Sequence, residues 1–300
     1  MSMEELRHLI ERHARPDMST AIDGVLIAMH ETTDVEHSIS GAVMALIVQG
    51  AKRLALGDRV YEYGAGQYLV SSMDLPVTGH FIGASRRQPS MGFGLVLHPT
   101  EVAELLLQAD TAGMRDGRGI PPSGMIVSDA PAPLLDAVVR LLRLLDQPRD
   151  KAVLAPLIKR EILWYLITGE QGATVRQLGL ADSNLGQIAR AVRWIRQHHA
   201  RPFRVEEVAE FCGMSPSAFY RNFQAVTAMS PIQYQKRIRL QEARLLLAAN
   251  PKDVASVGYQ VGYDSPSQFS REYRRQFGAP PSQDAIRPSG GGHRGFQAVL

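Results

Sequence analysis

Apolar side chains recur along this chain with two periods, and the change of period divides it. Between residues 24 and 97, short β-branched or aromatic runs alternate with turn residues, the pattern of half-buried strands. Residues 42–48 read as a buried strand. Residues 52–56 and 59–63 flank Gly57-Asp58, a two-residue hairpin connection. Residues 67–71, 77–83 and 92–97 follow as strands, with Leu75-Pro76 as an interruption. Six or more short strands at this spacing predict an antiparallel barrel or jelly roll, a common home for a small-molecule pocket. A short amphipathic helix over residues 4–13 precedes them.

Beyond residue 97 the period becomes helical. A helix is expected over 100–108 with Thr100 as its cap, then a glycine-rich loop over 110–128. Leu134, Leu135, Val138, Leu141, Leu142 and Leu145 form one wide apolar face, and Leu154, Leu157, Ile158, Ile162 and Tyr165 a second. Joined at Gln147-Pro148, they read as an αα-hairpin that either makes a dimer interface or packs on the barrel. The polar, glycine-bearing residues 169–183 are the expected domain boundary. Leu185, Ile188, Val192 and Ile195 then open a second domain, in which 231–249 is one long helix and 280–286 a short closing one. The expected fold is α+β in two domains. Residues 1–180 form a cupin-like antiparallel β-barrel with a helical hairpin, 181–288 an all-α domain, and 289–300 a disordered tail.

The all-α domain writes one string twice: SPSAFYRNF from Ser215 and SPSQFSREY from Ser265. At 100° per residue, Phe219 and Phe223 share a face, as do Phe269 and Tyr273. Ser217, Tyr220, Arg221 and Gln224 fall opposite the first pair, and Ser267, Ser270, Arg271 and Arg274 opposite the second. Upstream, Val205, Val208, Ala209 and Cys212 recur as Val254, Val257, Gly258 and Val261, and each short apolar helix is closed by a glycine, Gly213 or Gly262. Short helix, glycine turn and a Ser-Pro start to the next helix is the layout of a helix-turn-helix. The second turn carries one extra residue, Asp264.

Charge sharpens this reading. The net charge is +3, but residues 184–288 hold 15 Lys/Arg against 8 Asp/Glu, a net +7, which leaves −4 on the rest. A basic module joined to a mildly acidic one points to a polyanion as the partner of the former. The single cysteine excludes an internal disulfide framework and fits a reducing cytoplasm. No apolar stretch is long enough to span a bilayer, and the N-terminus lacks the apolar core of a secretory signal.

A helix fits the major groove, where an arginine can bond two guanine acceptors at once. Arg221 and Arg271 hold equivalent places and are the leading base readers, with Ser217, Tyr220, Ser267 and Gln268 beside them. Gln224, Arg274 and Arg275 lie better for phosphates, and the helix starts at Ser215 and Ser265 can offer backbone N–H groups. With the long helix as spacer, reading helices about 34 Å apart would enter successive turns of one duplex face.

The stretches QAVTAMSPIQYQKRIRLQEARLLL from Gln224 and VGYDSPSQFSREYRRQFGAPPS from Val261 resemble the AraC/XylS family of bacterial transcription regulators, over residues 188–287. LIVQGAKRLALGD, YLVSSMDLPV and EILWYLITGE resemble the regulatory domain of one branch. The resemblance implies a cupin-like domain that senses a small effector and contributes to dimerisation. It leaves RNA polymerase as a candidate further partner. Ala228 stands where a glycine is usual, and Gly258 where many members have alanine. The stretches GVLIAMHETT and HSISGAVMAL lack the usual arginine and Pro-Ser pair.

Rival functions fare worse. A cupin enzyme would need clustered metal ligands, but His30, His37, His80 and His98 are scattered without a His-x-His pair, so neither a metal, a cofactor nor an enzyme is expected. A DNA-repair methyl acceptor needs metal-bound cysteines, and Cys212 is alone on an apolar stripe. An architectural DNA-binding protein without an effector is the remaining alternative. The expected function is a homodimeric, effector-responsive transcription regulator of double-stranded DNA.

Overall fold

The computed structural model describes residues 2–109, 123–180, 183–249 and 253–284. After α1 (Ser2–His13) come eight strands: β1 (Val25–His30), β2 (Glu36–Ser40), β3 (Val43–Gln49), β4 (Ala51–Leu56), β5 (Arg59–Gly64), β6 (Gln67–Ser71), β7 (Leu75–Ile82) and β8 (Ser90–Val96). Helix α2 (Pro99–Gln108) precedes β9 (Met125–Asp129), and α3 (Ala132–Arg143), α4 (Pro148–Thr168) and α5 (Gly172–Gly179) complete this half. The strands make two antiparallel sheets, β1-β8-β3-β6-β9 and β2-β7-β4-β5, facing each other as a barrel-like sandwich.

Alternation along the strands sends side chains to two different cores. Met44, Leu46 and Val48 of β3, with Ile27, Phe93 and Leu95, point out of the five-stranded sheet into a core shared with α1 to α5. Ile47, Leu54, Leu56, Leu69, Val77 and Phe81 point between the sheets. The helical hairpin divides its apolar positions. Leu134, Val138, Leu141 and Leu142 of α3 and Ile162 and Leu166 of α4 pack on the sheet, whereas Val153, Leu154 and Leu157 of α4 are exposed.

Several local expectations are corrected. The glycine-rich segment contains β9, which pairs with β6; Met125 and Ser128 are buried, and the pairing rather than local pattern makes the strand. Residues 110–122 of that segment lie outside the described residues. Helix α2 is preceded by His98 with no side-chain cap, so Thr100 is not the cap; Pro99 takes the first position. Helix α4 begins at Pro148, inside the expected Gln147-Pro148 join, for the same reason. Pro76 lies inside β7, not at an interruption. It falls beyond the stretch that pairs with β4, so its missing N–H withdraws nothing from that neighbour. Residues 169–183 hold α5, which buries Val175 and packs on α2 and α4.

The second half is all helical: α6 (Asn184–Gln197), α7 (Val205–Phe211), α8 (Pro216–Thr227), α9 (Pro231–Ala249), α10 (Val254–Gln260), α11 (Pro266–Phe277) and α12 (Pro281–Asp284). The core of α6, α7, α8 and the start of α9 is continuous with the apolar interior between the two sheets. Helices α10, α11 and the end of α9 close around a separate core of Leu240, Leu247, Val257, Phe269 and Tyr273. Polar contacts seal the seam: Tyr234 donates to the Asp74 carbonyl (2.7 Å), Arg196 pairs with the Asp74 carboxylate, and Gln241 donates to the Ser38 carbonyl (2.9 Å). The expected tail at 289–300 lies outside the described residues.

Candidate nucleic-acid interface

The repeat in the sequence is a repeat in hydrogen bonding. Helix α7 ends with Gly213 N–H donating to Glu210 O and Met214 N–H to Ala209 O, both 2.9 Å. Helix α10 ends with Gly262 N–H on Tyr259 O (2.9 Å) and Tyr263 N–H on Gly258 O (3.0 Å). This paired closure needs a left-handed residue, and both glycines have positive φ, 71° and 92°. In the second unit a Cβ on Gly258 would stand 3.0 Å from the Phe269 ring, which accounts for the smaller residue there.

Each second helix is then capped alike. Ser215 Oγ accepts from Ala218 N–H (3.3 Å) and Ser265 Oγ from Gln268 N–H (3.4 Å), with Pro216 and Pro266 in the first helical turn. Phe219 and Phe223 are fully buried, the latter edge-on to Tyr234 at 5.6 Å. Phe269 and Tyr273 are equally buried, at 5.6 Å from each other. With those faces fixed inward, the opposite faces are exposed: Ser217, Tyr220, Arg221 and Gln224 on α8, and Ser267, Gln268, Arg271, Arg274 and Arg275 on α11.

On α8 the exposed residues line an open groove of about 910 Å³ together with Glu206 and Arg59. Arg59 was not foreseen, because it comes from β5 and meets α8 across 166 residues of sequence. Its guanidinium donates to the Ala225 carbonyl at 2.8 Å, and Gly124 N–H donates to the Val226 carbonyl at 2.9 Å, so the barrel caps the C-terminal turn of α8. Local pattern carries no signal for such a contact.

On α11, the expected base-reading residue Gln268 is partly engaged: its amide donates to Glu272 at 3.3 Å. Glu272 also accepts from Lys236 (3.1 Å) and the Tyr263 hydroxyl (2.9 Å). Burial pushes this carboxyl up, but the three donors outweigh it and hold it below the usual range. The network braces α9 against α11 and leaves Ser267, Arg271, Arg274 and Arg275 at the surface. Cys212 is buried under α7 and burial raises its thiol, as suits a core residue. Among the described residues there is no cluster of metal-binding side chains, and no helix is long and apolar enough to cross a membrane.

Comparison with known proteins agrees with this geometry. Residues 21–174 match the AraC-type transcriptional regulator N-terminus family, and residues 208–285 match a helix-turn-helix domain. The HTH-type transcriptional activator RhaS of Enterobacter sp. (strain 638) is 26% identical over 151 residues, 50% of this chain and 53% of the relative. The MmsAB operon regulatory protein of Pseudomonas aeruginosa is 35% identical over 102 residues, 33% of each chain. The chain thus spans about half the length of the RhaS relatives it matches. Crystal structures of ToxT from Vibrio cholerae strain SCE256 share the fold. An apo form carrying a point substitution has a TM-score of 0.58 at 12% identity, covering 89% of this chain and 99% of that one. The unsaturated fatty acid-bound wild type has a TM-score of 0.57 at 12% identity, covering 90% and 97%. With its N-terminal half matched from residue 21 to 174 and two helix-turn-helix units following, the chain belongs to the AraC-type transcriptional regulators.

Proposed function

We propose that this regulator binds specific sites in double-stranded DNA through both helix-turn-helix units and responds to a small-molecule effector held by its N-terminal half. The observation that carries the reading is the pair of like-built helices, each with its aromatics buried and Arg221 or Arg271 exposed at the equivalent place. In this reading Arg221, Arg271, Ser217, Tyr220, Ser267 and Gln268 read base edges. Gln224, Arg274, Arg275 and the helix starts at Ser215 and Ser265 hold phosphates. Residues 1–180 act as the sensor, 181–288 as the DNA-binding domain. A second copy of the chain is the partner for the exposed Val153, Leu154 and Leu157 on α4. The protein works as a regulator rather than an enzyme, in the cytoplasm where the DNA is.

Arg221→Ala and Arg271→Ala should each weaken binding to a selected genomic site by about 1–3 kcal/mol and relax preference at one base position, with unchanged circular dichroism. Footprinting of the full chain should protect two successive turns of the duplex. Normal affinity in both variants would reject the assigned reading faces.

A further inference from the structure

Helices α8 and α11 correspond residue for residue. Ser215 and Ser265 cap their starts, and Ala228 and Gly278, both left-handed, close their ends. Arg221 stands where Arg271 stands, but the match in charge stops there. The last turn of α11 carries Arg274 and Arg275, both exposed. Their counterparts on α8 are Gln224 and Ala225, so that the last turn of α8 has no basic residue.

A cation reaches that place from another part of the chain. The Arg59 guanidinium, on β5, donates to the carbonyl of Ala225 itself at 2.8 Å. Ala225 follows Arg221 by four residues, so it lies on the same side of α8 about 6 Å further along the axis. Arg59 lines one open groove with Ser217, Tyr220, Arg221 and Gln224. The hairpin that carries it is docked closely: a Cβ on Gly57 would collide with the Ala228 carbonyl oxygen. The bond to Ala225 takes one of five guanidinium N–H donors, and among the described residues no carboxylate pairs with Arg59. Glu206, which shares the groove, stands 3.8 Å from Arg204 instead.

We propose that Arg59, carried by the sandwich, binds a DNA phosphate beside α8, in the place that Arg275 holds on α11. The Ala225 carbonyl fixes one edge of the guanidinium and leaves the remaining donors for an oxyanion, which this planar fork suits. The first helix-turn-helix unit is thus completed by a residue from the other half of the chain. A shift of the β4–β5 hairpin would withdraw a cation from that surface without moving Ser217, Tyr220 or Arg221. The inference rests on the DNA reading above and adds to it a contact outside residues 181–288.

The test is the salt dependence of DNA binding by the full chain, on a selected genomic duplex and on an unrelated one. Arg59→Gln keeps a donor for the Ala225 carbonyl but drops the charge. It should reduce the slope of log K against log salt by about 1 and weaken both duplexes alike, roughly 5- to 10-fold at about 0.1 M salt. Arg59→Lys, which keeps the charge, should retain the slope. A residue that only capped α8 would change affinity and leave the slope alone. An unchanged slope in Arg59→Gln, an equal loss in Arg59→Lys, or tighter binding by Arg59→Gln overturns the proposal. If Arg59→Gln fails to fold by circular dichroism, Asp58→Cys carrying an aryl azide replaces it, since Asp58 is exposed next to Arg59. Failure of that probe to cross-link to the bound duplex then overturns the proposal. Steeply salt-dependent binding by the wild type with no response to Arg59→Gln rejects this contact alone. No binding by the wild type to any duplex rejects the DNA reading with it.

Discussion

The two helix-turn-helix units have the same closing hydrogen bonds, the same capping serines and the same buried aromatics, but they stand on different ground. Phe219, Phe223 and Val226 of the first unit belong to a core that runs on into the sandwich through Leu54, Leu56 and Val77. Phe269 and Tyr273 of the second belong to a core of their own. The second unit meets the sandwich at its edge, where the His37 ring stands edge-on to Phe277 at 4.9 Å. One motif, used twice, is therefore joined to the sandwich once by burial and once by surface contact. Helix α8, on the buried side, is the one positioned to feel a change inside the barrel.

The largest effects should come from opening each core. Phe223→Ala and Phe269→Ala should both cost about 3–5 kcal/mol, but with different reach. Hydrogen exchange should show lost protection in the sandwich strands as well as α6 to α8 for the first, and only in α10, α11 and the end of α9 for the second. Unchanged strand protection in Phe223→Ala would break the claim of a shared core.

Acid should loosen the edge contact next. Burial, then the charges of Arg244 and Arg237, lower His37 to about 4, with Asp284 opposing. A histidine held neutral in the folded state takes up its proton more readily when unfolded. Its contribution is therefore complete above about pH 6.5 and is lost as the pH falls towards 4, by up to about 3 kcal/mol. His30, also lowered to about 4 by burial and then Lys52, adds a second loss over the same window. His37→Gln should flatten the fall in melting temperature between pH 6.5 and 4, leaving the slope due to His30 and, near the acid end, to carboxylates held low such as Glu272.

The smallest effect separates the two helix ends. Helix α11 ends at Gly278 with φ 79°, whereas α8 ends at Ala228 with φ 55°, a left-handed conformation that disfavours any Cβ. Ala228→Gly should stabilise the chain by about 0.5–1 kcal/mol, and Gly278→Ala, where a Cβ would meet no atom within 4 Å, should cost about 1 kcal/mol. Equal and opposite shifts in denaturant midpoint would show that the backbone alone sets the difference.

Most of this architecture was legible where short-range chemistry decides it. Gly57-Asp58 marks the hairpin between β4 and β5, and the run from Pro231 to Ala249 marks α9 to the residue. The exposed faces of α8 and α11 follow from the 100° spacing of their aromatics. What escaped depends on distant partners. Strand β9 exists because β6 is beside it, α5 because α2 and α4 bury Val175, and Arg59 reaches Ala225 only once the barrel and the helical half have docked. The burial of Lys52 escaped for another reason: alternation with Leu54 and Leu56 does turn it inward, but a lysine is seldom fully buried.

Helix α9 crosses from one of these cores to the other. Its first turns are clamped to the sandwich through Tyr234, and its last residues, including Leu247, lie in the second core. Its 19 residues make a beam about 28 Å long, so a tilt of about 5° at the clamped end swings the far end by about 2 Å. That is comparable to the tolerance of a base contact. A displacement too small to disturb the barrel could thus shift the proposed reading face at Arg271 while the one at Arg221 stays in place.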